Sequence, residues 1–228
     1  KKLLNTVYIT TEGAGLRKDG DNLVAEVEGH ERARIPLHML ASVVVFGGIF
    51  VSPGLMGACT AAGISIVVLD RNGRFAARVE GPVSGNVLLR REQYRASDRP
   101  DEIIRSIVMG KIANQRSVLM LARILPRVEH SGETSDTMRG FEGEAANVYF
   151  SVFDHLLRVP EPELRWRGRS RRPPLDPLNA LLSFFYTLLT HDCRSACESV
   201  GLDPAVGFLH RDRPGRPSLA LDLMEELR

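Results

Sequence analysis

"RFAARVEGPVSGNVLLRREQYRA", Arg74 to Ala96, is where the chain changes its period. Before it, apolar residues come in short runs rich in Val, Ile and Thr. After it they recur at spacings of three and four. The first pattern belongs to strands and the second to amphipathic helices.

Working back from that stretch, "NTVYIT" (Asn5 to Thr10), "NLVAEVEG" (Asn22 to Gly29), "ARIPLHML", "SVVVFGG", "ISIVVLD" and "RFAARVEG" read as strands. Asp19-Gly20-Asp21 and Gly47-Gly48 are turn signals between them. "SPGLMGACTAAG" (Ser52 to Gly63) is one short helix, with Ser as its cap and Pro at its first position. Working forward, five segments space their apolar residues as helices do: "NVLLRREQYRA", "DEIIRSIVMGKIANQRSVLMLARIL", "TMRGFEGEAANVYFSVFDHLLR", "PLNALLSFFYTLLTHDCRSACESVG" and "SLALDLMEELR". No internal repeat is present. The fold class expected is α+β, with a small β-rich domain over residues 1–82 and a larger all-helical domain over residues 83–228.

Composition excludes little by itself. The 228 residues are 43% hydrophobic and 25% charged, as in ordinary globular proteins, and a net charge of +2 is too small to argue for nucleic acid. Three cysteines make no disulfide framework, and Cys193 and Cys197, four apart on a helical pattern, read as buried small residues. That usage fits a reducing, cytoplasmic setting. No run approaches the roughly 18 apolar residues of a membrane span, and no signal peptide opens the chain. The first residue is Lys1, and "SLALDLMEELR" ends without Gly, Asn or Pro to close a helix. The natural protein is expected to continue.

Three segments carry candidate chemistry. In "MRGFEGEAANVYF", Glu142 shares a helix face with Ala145, Ala146, Tyr149 and Phe153, whereas Glu144, Asn147 and Ser151 face the other way. A carboxylate turned toward the packed side is costly unless it is paired, hydrogen-bonded or bound to a metal. This stretch alone favours an ion pair, with Arg139 for example, over a metal. In the tail, Asp222, Glu225 and Glu226 share one arc of a helix opposite Ala220, Leu223, Met224 and Leu227. On periodicity that is an ordinary solvated face. His210 precedes it in "VGFLHRDRPGR", where a lone His is more often structural than a ligand. Taken together, two carboxylates and an imidazole from three segments make an open ligand set suited to Mg²⁺ or Mn²⁺. Between them lies "RWRGRSRRPP", five Arg in eight residues, able to grip phosphates. Clusters of this kind are usually solvated loops. Here the nearby ligand set raises the case for nucleic acid.

Competing patterns are missing: there is no Walker loop, no dinucleotide-binding glycine motif, no G-x-S-x-G and no H-E-x-x-H. His191-Asp192 and Asp154-His155 diverge by about 100° on a helix and read as ordinary pairs. Tyr186, in "SFFYTLL", fits a core position at least as well as a place near the site.

The segments "RGFEGEAANVYF", "GRSRRPPLDPLNALLSFFYTLL", "GLDPAVGFLH" and "SLALDLMEELR" resemble, in order, the CRISPR-associated integrases of spacer acquisition, in the form found with multi-subunit interference systems. "NTVYITTEGAGL" and "GIFVSPGLMGACTAAGISIVVLD" are similar to the β domain of that family. The resemblance implies a β-rich dimerisation domain and a helical catalytic domain. It implies Mg²⁺- or Mn²⁺-dependent DNA cleavage and strand transfer, inserting captured foreign DNA as spacers in antiviral defence. Its metal ligands fall on Glu142, His210 and Glu225, with Asp222 as an assisting acid, and it chooses Glu142 over Glu144. Arg169, Arg171 and Arg172 are the expected phosphate-backbone contacts. The implied partners are DNA, a second copy of the chain and the small companion protein of the adaptation complex, with no membrane. Family members usually run on through further helices past "DLMEELR". Two other readings remain: a non-catalytic or truncated DNA-binding relative, and a general metal-dependent nuclease.

Overall fold

A computed structural model describes residues 5–82, 86–121, 135–158, 164–170 and 173–227. The chain divides into Lys1–Ser84 and Gly85–Arg228.

Among the described residues the first unit holds eight strands: β1 (Asn5–Ile9), β2 (Gly15–Asp19), β3 (Asn22–Val27), β4 (His30–Pro36), β5 (Leu40–Phe46), β6 (Phe50–Val51), β7 (Ser65–Leu69) and β8 (Phe75–Val79). One helix, α1 (Pro53–Ala61), lies between β6 and β7. One sheet has the order β1-β5-β7-β8 and the other β4-β3-β2-β6. In the first, β1, β5 and β7 run parallel and β8 is antiparallel. Val43, Val44 and Val45 on β5 are all buried, so both faces of this inner strand are covered, as its unbroken apolar run requires. Leu16, Leu23, Val43, Val45, Leu55, Cys59 and Ile66 bring both sheets and α1 into one core. The Ser52 hydroxyl caps α1 by accepting from the Leu55 N–H.

Strand β2 has no counterpart among the expected strands. Its sequence, "GLRKD", carries one buried apolar side chain, Leu16, and its polar face is tied across the sheet by Arg17 donating to Glu26 at 2.7 Å. The β3–β4 hairpin turns on Glu28-Gly29, with φ of 53° and 76°, between the paired residues Val27 and His30. Two positive φ values suit the twist of flanking strands, but Glu28 has a side chain that resists that region. Glu28→Asn is expected to stabilise the protein by about 0.5–1 kcal/mol, read as a higher urea midpoint at unchanged slope.

The second unit contains α2 (Val87–Ser97), α3 (Asp101–Leu121), α4 (Ser135–Ser151), α5 (Pro177–Ser199) and α6 (Ser218–Glu225). Among the described residues its regular elements are all helical, a short 3₁₀ turn over Phe153–Leu156 included. Asn86 caps α2, its side-chain oxygen accepting from the Leu88 and Leu89 N–H groups. Asp176 caps α5, whose first residue is Pro177. Helix α3 buries Ile104, Ile107, Val108, Lys111, Gln115 and Leu119 along one stripe, so two polar residues share an otherwise apolar face. Cys193 on α5 packs with Ala220 and Met224 of α6. Burial pushes the thiols of Cys193 and Cys197 up to about 11 and about 12, so both serve as packing groups and not as thiolates. Among the described residues no helix is long and apolar enough to cross a membrane.

Candidate metal centre

The loop from α5 to α6 presents His210, and α2 holds that loop. Gln93, buried on α2, donates to the carbonyls of Asp203 and Val206 and accepts from the Asp203 N–H. Arg90 donates to the Gly201 carbonyl, and the Tyr94 hydroxyl to the Asp203 carboxylate. At Gly207 the chain passes so close to α6 that a Cβ would stand 2.6 Å from that of Ser218. Only glycine fits there.

Asp222 closes the loop onto α6. It is wholly buried, and its two oxygens accept from the backbone N–H of Phe208, Leu209 and His210 and from His210 Nδ1, at 2.6, 3.0, 2.9 and 2.7 Å. A carboxylate oxygen can only accept, so Nδ1 carries the proton and Nε2 is directed away from Asp222. Nε2 faces Glu225 Oε1 at 3.7 Å. A carboxylate that fixes an imidazole by one nitrogen so that the other can bind is the common arrangement behind a metal-ligating histidine.

The other oxygen of Glu225, Oε2, accepts from Lys111 Nζ at 2.5 Å, and the same ammonium donates to Glu142 Oε1. Glu225 and Lys111 are buried, while Glu142 and His210 keep 27% and 21% of their side chains exposed. Those two therefore line the edge that solvent or a substrate reaches. On α4, Ala145 is buried and Glu144 and Asn147 are exposed, so the helix turns Glu142 inward. Among the described residues no three His, Cys, Asp or Glu side chains are already drawn together as ligands of one ion. The Lys111 ammonium stands between two of the expected ligands instead.

The region resembles known proteins as a whole. Residues 7–228 match the family model described as CRISPR associated protein Cas1. The chain belongs to the Cas1 family. A CRISPR-associated endonuclease Cas1 of Rhodospirillum rubrum is 66% identical, covering 100% of this chain and 73% of that protein. One from Chlorobaculum tepidum is 48% identical over the same shares. A solved Cas1 structure from Thermotoga maritima has the same fold, with a TM-score of 0.82 at 24% identity, covering 98% of this chain and 75% of that one.

Against this Cas1 frame, several expected residues sit differently from their pattern. The acids of the tail are not a solvated face: Asp222 and Glu225 are 0% and 3% exposed, while Leu223 and Leu227 are 38% and 65% exposed. The reason is that α6 is covered on two sides, by α5 against Ala220 and Met224 and by α3 and the His210 loop against the acids. Arg169, an expected phosphate-backbone contact, has partners within the protein. Its guanidinium lies 5.2 Å from the Tyr186 ring centre and donates to Asn179 Oδ1, so it pins the loop to α5. Exposed positions in the same loop are Arg165 and Arg167, while Trp166 packs on Phe150. Arg171 and Arg172 lie outside the described residues, as does the side chain of Arg139. The partner Glu142 does have is Lys111.

Three residues that organise the Cas1 site had no assigned role in sequence. Lys111 signals itself only as a polar residue on the apolar stripe of α3, and Gln93, the one buried residue of α2, carries no such signal. Asn179 is wholly buried: its oxygen accepts from Arg169 and the Ser170 N–H, and its amide donates to the Gly168 carbonyl and to Asp176. Those hydrogen bonds also hold the Asp176 carboxyl below its usual range.

Proposed function

We propose that the chain is the catalytic subunit of CRISPR adaptation, a divalent-metal-dependent DNA endonuclease and strand transferase that inserts captured DNA fragments into a CRISPR array. The observation that carries this reading is the approach of Glu142, Glu225 and His210 Nε2 to one region, with Asp222 fixing the imidazole. The donor set fits Mg²⁺ or Mn²⁺: two carboxylates and one imidazole, with no thiolate, around a position that already attracts a positive charge. Glu142, Glu225 and His210 would hold the ion. The chemistry such an ion supplies when bound is polarisation of the scissile phosphodiester and acidification of the attacking hydroxyl.

The rest falls to the chain's own side chains. Asp222 keeps the His210 proton on Nδ1 and so leaves Nε2 toward the site. Glu142 and His210, at the exposed edge, meet the DNA first. Arg171 and Arg172 neutralise backbone phosphates without reading bases. Arg169, through Asn179, keeps their loop against α5. The helical second unit is the catalytic domain, and the β-rich first unit joins two copies. The dimers work with DNA and with the companion protein Cas2, in the cytoplasm.

The test is strand transfer of a 3′-hydroxyl DNA end into repeat-bearing DNA. Activity is expected with Mg²⁺ or Mn²⁺, and none with chelator, with Glu142→Gln or with His210→Ala. Joining that persists in chelator, or at parental rate in either variant, would overturn the assignment.

A further inference from the structure

The cation standing between Glu142 and Glu225 is part of the polypeptide. Lys111 comes from the buried stripe of α3, and its side chain is 5% exposed. An ammonium is costly to bury unless acceptors replace its water, and here two carboxylates do so. They in turn repel each other unless a positive charge lies between them. Lys111 therefore keeps the two acids together. It does so with the very oxygens that the proposed metal centre needs. One turn further along the stripe, Gln115 is buried, and its Oε1 has no hydrogen-bond partner among the described residues.

We infer that Lys111 is a built-in competitor for the metal position. Its ammonium holds Glu142 and Glu225 assembled in the ion-free protein and withdraws as a divalent cation takes those oxygens. The inference rests on the metal-centre reading given above. Gln115, four residues on and on the same helix face, offers a buried acceptor for the displaced ammonium. Lys111 is thus a positioning residue. It preassembles the site and, by the same contact, lowers the affinity for the ion, so that loading depends on the metal concentration.

The experiment measures Mn²⁺ binding by calorimetry for the parent protein, Lys111→Met and Glu142→Gln, with thermal melting of each at zero and saturating Mn²⁺. Lys111→Met is expected to melt lower without the ion, to bind Mn²⁺ about tenfold tighter or more, and to gain more in Tm on binding. A lysine that merely props up the fold would leave binding equal or weaker, and that result from a folded variant overturns the inference. In case the variant does not fold, the lysine side-chain methylene resonances of the parent are followed by NMR through a Mg²⁺ titration, with Lys111 assigned by Lys111→Arg. The Lys111 resonance is expected to move along the calorimetric binding curve, and a stationary resonance overturns the proposal. If the parent binds no ion, or Glu142→Gln binds as well as the parent, the metal centre itself is wrong. If Glu142 is needed for binding and Lys111 behaves as a prop, only the competitor role fails.

Discussion

Glu225→Gln is expected to abolish strand transfer, by about 10³-fold or more at 1.36 kcal/mol per decade, while Glu226→Gln stays within about twofold of the parent. The two residues are neighbours, and periodicity places both on one acidic arc. In three dimensions they part. Glu225 is 3% exposed and divides its oxygens between Lys111 and the His210 imidazole. Glu226 is partly exposed and lies beside Gly110, where a Cβ would come within 3.2 Å of its side chain. Its backbone carbonyl, not its carboxylate, accepts from Asn114. An amide at position 225 keeps the shape but removes the charge that would hold an ion and that balances Lys111. Measuring both variants on one branched DNA substrate separates a ligand from a neighbour. Equal activities would sink the assignment of Glu225.

Asp222→Ala should cost about 3–5 kcal/mol of stability, because it leaves four donors facing a cavity, three of them backbone N–H groups. The acceptor it removes is wholly buried and serves three consecutive backbone N–H groups of the His210 loop. Asp222→Asn keeps the shape but turns an N–H₂ toward groups that donate, so about 2–3 kcal/mol is expected. Strand transfer by the folded fraction of Asp222→Asn should fall about 10–100-fold, the usual effect of losing the partner of a metal-ligating histidine. Urea denaturation of both variants checks the order. Unchanged midpoints would mean that the His210 loop is held elsewhere, by Gln93 and Tyr94.

Much of the fold was legible because it is local. The Val- and Ile-rich runs "SVVVF" and "ISIVVL", the Ser52-Pro53 start of α1 and the switch of period from about Val83 each follow from the geometry of one element. What escaped was the strand whose partner supplies its reason. Strand β2, "GLRKD", has three charged residues in five, yet it pairs along its length with β3. Arg17 and Glu26 complete each other across the sheet only once both strands are in register.

The site divides in the same way. Sequence alone determined that Glu142 faces inward, since Ala145 and Ala146 on that face leave room for close packing, and motif order singled out His210, Asp222 and Glu225. Tertiary structure decided what those residues do to one another. Periodicity reports which residues share a face, but not what lies opposite it, and α6 is covered from two sides. Lys111 was invisible for the same reason. Along α3 it is one charged residue on an apolar stripe, and it becomes a counter-ion only where α4 and α6 deliver carboxylates to it. Burial and charge balance are properties of the neighbours, and the chain brings those together across 31 and 114 residues of sequence.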